Sequence, residues 1–97
     1  MKIDNNTLLG MSAEDFLPHL FKKIKIRMNK EIKIGDKSGN EFYGYISKIY
    51  LTAFPPHKPL HIRFIDENIS PTINRHIADT LATGINIFYI DFLELLE

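Results

Sequence analysis

The chain has 97 residues, of which 44% are hydrophobic and 25% charged, and its 12 basic residues balance 12 acidic ones. This length predicts one globular domain over residues 1–97, and the apolar content excludes an intrinsically disordered chain. The absence of cysteine excludes disulfides, thiolate metal sites and cysteine nucleophiles. Because no signal-like or membrane-spanning apolar run is present, we expect a soluble cytoplasmic protein without membrane contact.

The charges are unevenly distributed along the sequence. Residues 22–40 contain seven basic and two acidic residues, whereas residues 81–97 contain three acids and no base. A segment this basic can mark a binding surface, although a solvated strand face explains it equally well.

The first predicted element is a short helix that begins near Ala13. Ser12 is a favourable N-cap, and Asp15 matches the positive end of the helix dipole. Pro18 interrupts the pattern, because a proline inside a helix removes a hydrogen bond and clashes with the preceding turn. Either the helix is kinked at Pro18, or Asp15 caps a shorter one.

The strongest pattern is the alternation from Lys23 to Ile34. Even positions carry Ile24, Ile26, Met28, Ile32 and Ile34, and odd positions carry Lys23, Lys25, Arg27, Asn29, Glu31 and Lys33. Side chains alternate between the two faces of a strand, so this pattern predicts one buried face and one basic face. Parity disfavours a two-residue turn at positions 29 and 30, and leaves open a three-residue loop at 29–31 or one long bent strand.

Three further β features follow. The glycine-rich segment Gly35–Asn40 predicts a hairpin turn. Glu41–Thr52 is a second strand whose apolar residues occur at both parities, which predicts a central strand covered on both faces with a bend or bulge at Gly44. The proline-rich segment Ala53–Pro59 leaves the sheet, and Leu60–Ile65 forms the third strand.

The last elements are a helix and a strand. Ser70 is a fitting N-cap for a helix to Thr83, and Gly84 is its expected left-handed terminator. Ile85–Ile90 predicts an apolar strand, and the residues after it a strand tail or a last helical turn. Together these elements predict an α+β fold. Its small, strongly bent, mainly antiparallel sheet has four to five strands, is open or barrel-like, and carries an N-terminal helix and a helix before the last strand.

No pattern of residues predicts catalysis or metal binding. His57 and His61 are four apart, but the prolines around them exclude the helix that would let both bind one metal. The sequence lacks a glycine-rich phosphate loop, a nucleophile elbow and paired catalytic carboxylates. We therefore expect a non-catalytic protein with no cofactor and no metal.

Two surfaces are candidates for binding. The first is a basic strand face that would bind single-stranded nucleic acid or RNA by phosphate contacts and base stacking; its candidate residues are Lys23, Lys25, Arg27, Lys33, Tyr43 and Tyr45. The alternative is a protein-binding adaptor or inhibitor, homodimeric or not, that uses a proline-rich loop at 54–59 and the apolar C-terminal element. The loop residues of this alternative are Phe54, Pro56, His57 and Pro59.

Two segments show similarity to known families. Phe42–Ile49 contains Gly-x-Ile-x-x-Ile and resembles the second strand of Sm-like and SH3-like small barrels. Ile24–Asp36 is similar to the strand and Ile-Gly-Asp turn of PUA-like RNA-binding domains. Both resemblances imply a small, strongly bent sheet.

Overall fold

The fold is a six-stranded antiparallel sheet with short helices on one face, in a computed structural model that describes residues 1–69 and 80–96. The strands are β1 (Lys2–Asp4), β2 (Lys23–Ile34), β3 (Lys37–Leu51), β4 (Pro59–Asp66), β5 (Thr83–Asn86) and β6 (Ile90–Leu95). The helices are α1 (Asn5–Gly10) and α2 (Ala13–Phe16), with 3₁₀ helices at Leu17–His19 and Ile87–Tyr89. The predicted sheet-rich α+β class is confirmed in this coarse form, but the expected four to five strands were too few.

The order of the strands requires the sheet to bend. The order is β1-β6-β2-β3-β4-β5, so β5 and β6 are four strand spacings apart, or about 19 Å in a flat sheet. The chain passes from Asn86 to Ile90 in four residue steps, which span about 15 Å at most. The sheet therefore curls and brings β5 towards the start of β6. It does not close, because β5 pairs only with β4 among the described strands.

The core lies on the face of β2 that the alternation predicted. Ile24, Ile26, Met28 and Ile34 are buried, and Ile32 is half-buried against the same cluster. The N-terminal helices cover this face, and α1 contributes Leu8 and α2 contributes Phe16 to the core.

β2 is one long bent strand, which decides between the two layouts left open. Arg27 pairs with Glu41 on β3, and the next pair is Ile32 with Gly39, so four residues of β2 face a single residue of β3. The hairpin turn is shorter than predicted, because only Gly35 and Asp36 lie between the paired residues 34 and 37.

β3 is central, as predicted. Phe42 and Ile46 are buried in the core. On the other face Tyr43 is exposed, whereas Ile65, the cross-strand partner of Tyr45, is fully buried. The register with β4 shifts between Ile46 and Lys48, which transfers the core positions from even to odd numbers, so Ile49 packs against the core. The bulge is therefore at Ser47 and not at the predicted Gly44.

The N-terminal helix is confirmed and is the shorter of the two alternatives. α2 ends at Phe16, and Pro18 lies in the 3₁₀ helix that follows. The Ser12 hydroxyl accepts a hydrogen bond from the Asp15 N–H, and the Asp15 carboxylate accepts one from the Ser12 N–H, which completes a capping box. β1 and α1 were not predicted, although Asp4 caps α1 through the Thr7 N–H.

Two predictions near the C-terminus are wrong. Residues 70–79 of the predicted Ser70–Thr83 helix lie outside the described residues. The predicted C-terminal end of this helix is wrong, because Thr83 and Gly84 belong to strand β5. The predicted strand Ile85–Ile90 is split by the 3₁₀ helix. Asn86 caps this 3₁₀ helix, because its side-chain oxygen accepts a hydrogen bond from the Phe88 N–H. The residues after this 3₁₀ helix form β6. The strand tail, and not the last helical turn, is therefore the correct alternative for the chain end.

Candidate functional site

The register of β2 and β3 places cations and tyrosines on one face of the sheet. Lys23 lies opposite Tyr45, and Lys25 lies opposite Tyr43, with the lysine Nζ 5.9 Å from the centre of the Tyr43 ring. Cross-strand partners share a face, so five of the six residues predicted for nucleic acid binding lie together. They are Lys23, Lys25, Tyr43, Tyr45 and, at one end of the group, Arg27. This surface, opposite the core, is called the open face below.

β6 and β1 extend the open face with residues that the sequence did not reveal. Phe92 lies opposite Arg27, and Glu94 lies opposite Lys25. On β1, Lys2 pairs with Glu94, and its Nζ is 4.0 Å from the centre of the Phe92 ring. The open face therefore has a third aromatic ring. Only the pairing of β6 with β2 reveals it, and no local pattern encodes that pairing.

The cations of the open face have acidic neighbours. Glu41 accepts a hydrogen bond from Arg27 Nη1 at 2.7 Å and lies 3.5 Å from Lys25 Nζ. Asp91 is 4.0 Å from Arg27 Nε. With Glu94 and Asp4, the acids on β1, β2, β6 and the adjoining part of β3 equal the four cations there in number. Lys48 and Arg63 pair across β3 and β4 on the same face and add two more cations, so this balance of charge holds for the part of the open face around β2 and not for all of it.

Lys33 is not part of the open face cluster. It lies beyond the bend of β2, opposite Ser38, and is separated from Arg27 by the residues that leave the β3 register. Lys33 instead lines a groove between β2 and β5, which is described below.

The proline-rich loop is organised by Thr52. The Thr52 N–H donates to the Lys58 carbonyl at 2.8 Å, and the Lys58 N–H donates to Thr52 Oγ1 at 3.1 Å. The same hydroxyl lies 3.3 Å from the Phe54 carbonyl and 3.2 Å from the Pro56 carbonyl. The Thr52 carbonyl accepts a hydrogen bond from His57 Nδ1 at 3.0 Å. These contacts hold a closed loop at the end of the β3–β4 hairpin.

The loop leaves most of the protein-binding candidates on the surface. Phe54 is 82% exposed, and Pro56 and His57 are exposed as well. Pro59 differs from them, because it is buried as the first residue of β4, opposite Leu51. The predicted loop at 54–59 therefore ends one residue earlier.

The apolar C-terminal element is mostly core. Ile87, Ile90 and Leu93 are buried, whereas Phe88 and Tyr89 of the 3₁₀ helix are exposed. β6 pairs with β1 on one edge and β2 on the other, so it offers no free strand edge to a second copy of the chain.

The described residues hold no group of three or more His, Asp or Glu side chains that could share a metal ion. Within 1–69 and 80–96, no helix is long and apolar enough to cross a bilayer. In the described part of the chain, the two carboxyls with a lowered pKa lie at helix N-termini, Asp4 as the N-cap of α1 and Asp15 in the capping box of α2. The Thr7 N–H and hydroxyl lower the pKa of Asp4, and hydrogen bonds from Ser12 lower that of Asp15. Neither carboxyl belongs to a cluster with catalytic chemistry.

Comparison with known proteins found no matching family model, no matching curated protein and no matching solved structure.

Proposed function

We propose that this chain is a non-catalytic protein-binding module that presents Phe54 to its partner. One observation carries the proposal: Phe54 is 82% exposed on a loop whose backbone is fixed by the hydrogen bonds of Thr52. Exposed aromatic side chains are typical anchors of protein interfaces, and a preorganised loop loses little conformational entropy on binding.

Neighbouring residues support a small apolar patch at the same end of the sheet. Leu51 and Leu60 flank the loop, and both side chains are exposed. Leu51 pairs with Pro59, so this end of the hairpin is fixed relative to the sheet. Lys58 Nζ is 3.5 Å from the Gly10 carbonyl oxygen, which connects the loop to α1. A partner would therefore contact a rigid apolar protrusion with a cation beside it.

Affinity capture with matched variants tests the proposal. The wild-type chain, Phe54→Ser and Leu17→Ser are immobilised, and the retained proteins are compared after nuclease treatment and a high-salt wash. Leu17 is also exposed, at 61%, but belongs to the 3₁₀ helix after α2. We expect a protein that the wild type and Leu17→Ser retain and Phe54→Ser loses. Equal retention by all three chains contradicts a role for Phe54.

A second candidate function is binding of single-stranded nucleic acid on the open face. The specific observation that favours it is the register that sets Lys23 beside Tyr45 and Lys25 beside Tyr43, because interleaved cations and rings bind phosphates and bases. Glu41 and Glu94 oppose it, since carboxylates beside the lysines reduce the attraction for phosphate. For this reason protein binding is the first proposal.

Oligonucleotide binding tests the second candidate. Fluorescence anisotropy with single-stranded oligouridylate should give an affinity that falls steeply between about 50 and 200 mM salt. Lys25→Glu with Arg27→Glu should abolish binding. Lys30→Glu with Lys58→Glu, which changes the net charge equally away from the open face, should reduce it much less. A flat salt profile, or equal losses in both double variants, excludes this function.

A further inference from the structure

The bent sheet leaves a groove between β2 and β5. The two strands are not paired with each other, yet they line one cavity of about 310 Å³ together with Tyr89. The lining residues are Met28, Lys30, Ile32, Lys33, Thr83, Gly84, Ile85, Asn86 and Tyr89. A volume of this size is at the lower end of known ligand pockets. The groove lies beside the part of β2 that extends beyond its pairing with β6.

Both walls of the groove have strand edges without a partner strand among the described residues. β5 pairs with β4 on one side only. On β2, the pairing with β6 ends at Met28, and residues 28–31 also lack partners in β3. Alternate residues of an edge strand direct their N–H and C=O groups away from the sheet. The groove therefore presents backbone donors and acceptors that can bind an extended chain.

One end of the groove is held rigid by side-chain contacts. Lys30 Nζ is 3.8 Å from the centre of the Tyr89 ring, and Asn29 Nδ2 donates to the Phe88 carbonyl at 3.4 Å. Asn86 caps the same 3₁₀ helix. These contacts fix the distance between the β2 bend and the end of β5, so the groove does not have to form when a ligand arrives.

The charge of the groove selects among extended ligands. The charged residues that line it, within the described part of the chain, are Lys30 and Lys33, and both are exposed cations. Ile32 and Ile85 supply apolar lining. A ligand that matches this surface alternates apolar side chains with carboxylates, since neighbouring residues of a strand face opposite sides.

We propose that this groove binds an acidic extended peptide, which adds as a strand between β5 and the bend of β2, on the edge of β5 that is unpaired within residues 1–69 and 80–96. The site is separate from the Phe54 loop, which lies at the β3–β4 end of the sheet. Main-chain hydrogen bonds to β5 supply affinity, and Lys30 with Lys33 supplies the preference for carboxylates.

Titration of the ¹⁵N-labelled chain with three short peptides tests the proposal. Each is about six residues long, enough for one strand. The first alternates valine and glutamate, the second alternates valine and lysine, and the third is the first with alternate amides N-methylated. We expect the first to shift the amide signals of Gly84, Ile85 and Ile32. The second should not bind, because its charges repel the lysines, and the third should bind weakly, because it lacks strand donors.

Two double variants separate this site from general electrostatic attraction. Lys30→Glu with Lys33→Glu should weaken binding of the valine–glutamate peptide by at least about tenfold. Lys22→Glu with Lys48→Glu changes the net charge equally, outside the groove, and should leave binding within about twofold. The NMR spectrum of each variant also reports whether it is folded.

Several outcomes overturn the proposal. One is the absence of shifts at Gly84 and Ile85 with millimolar peptide. Others are equal binding of the N-methylated or the lysine peptide, or shifts centred on Lys23 and Tyr43. Concentration-dependent shifts of Gly84 and Ile85 without peptide would show that a second copy of the chain occupies the groove, which also contradicts it. None of these outcomes depends on Phe54, so the proposed function is tested separately.

Discussion

Gly44 on β3 lies directly against the backbone carbonyl of Ile65 on β4. A Cβ atom at position 44 would overlap the Ile65 oxygen and lie 2.8 Å from the Cζ atom of Phe64. The obstacle includes main chain of the central β3–β4 pair, which cannot move without breaking the ladder. We expect Gly44→Ala to lower the free energy of unfolding by about 3 kcal/mol, measured by urea denaturation.

Gly10→Ala is the matched control for this substitution. Gly10 is the last residue of α1, and a Cβ there would meet nothing within 4 Å. Alanine in a helix is favoured over glycine, so Gly10→Ala should be neutral or stabilise by up to about 1 kcal/mol. Similar losses from Gly10→Ala and Gly44→Ala would show that the close approach at position 44 is not the cause.

The two halves of β2 should differ in their response to truncation. Ile26 is fully buried before the bend, whereas Ile32 is half-buried after it. Ile26→Ala should cost about 3 to 4 kcal/mol through lost burial and a residual cavity, and Ile32→Ala about 1 kcal/mol. Urea midpoints of the two variants measure the difference. Equal midpoints would mean that the buried face continues through the bend without a change.

The features that the sequence predicted correctly are local. The alternation from Lys23 to Ile34 predicts a strand because strand faces repeat with a period of two, and Ser12 with Asp15 predicts a helix start because both satisfy free N–H groups. The grouping of Lys23 and Lys25 with the tyrosines also follows from parity, once β2 and β3 form a hairpin. Such features depend on residues close together in the chain.

The features that the sequence did not reveal depend on distant pairing. Phe92 reaches the open face only because β6 inserts between β1 and β2. The run from Ile85 to Ile90 is apolar throughout, so its pattern does not show the 3₁₀ helix that Asn86 begins. The bulge at Ser47 changes which parity of β3 contacts the core, and a strand with apolar residues at both parities does not reveal such a change. Register over long distances is set by the whole sheet.

Acid should remove the contribution of Asp15 to stability. Hydrogen bonds from Ser12 hold the pKa of the Asp15 carboxyl below its ordinary value of 3.8, so the folded state favours the ionised form. This contribution is present above pH 3.8 and is lost as the pH falls through the lower pKa of the folded state. The urea midpoints of wild type and Asp15→Asn should therefore differ at pH 7 and converge as the pH falls below the lowered pKa of the folded state.

Asp36→Asn is the control for the acid experiment. Asp36 lies exposed in the β2–β3 turn, where asparagine is equally suitable, and the substitution removes the same charge. Its midpoint should stay near that of the wild type throughout the pH series. A difference between wild type and Asp15→Asn that persists unchanged in acid would contradict the capping role of the ionised carboxylate.

Thr52→Val should loosen the proline-rich loop without disturbing the sheet. The substitution keeps the shape of the side chain but removes the hydroxyl that accepts the Lys58 N–H and reaches the Phe54 and Pro56 carbonyls. We expect faster hydrogen exchange at the Lys58 amide and a loss of about 1 kcal/mol in unfolding free energy. Ser38→Ala, an exposed hydroxyl on β3, should change neither quantity. Unchanged protection of Lys58 in Thr52→Val would show that Thr52 does not organise the loop.

Glu41→Gln separates the structural effect of the open-face ion pairs from their effect on binding. The pairs with Arg27 and Lys25 join half-exposed side chains, so their loss should cost less than about 1 kcal/mol in a urea titration. The same substitution leaves both cations without this carboxylate and raises the net charge of the face. If the face binds phosphates, oligonucleotide affinity should increase by about threefold or more, and the salt dependence should become steeper. Ser38→Gln on the same strand keeps Glu41 and should alter neither. An unchanged or weaker oligonucleotide affinity in Glu41→Gln would contradict phosphate binding by the cations of this face.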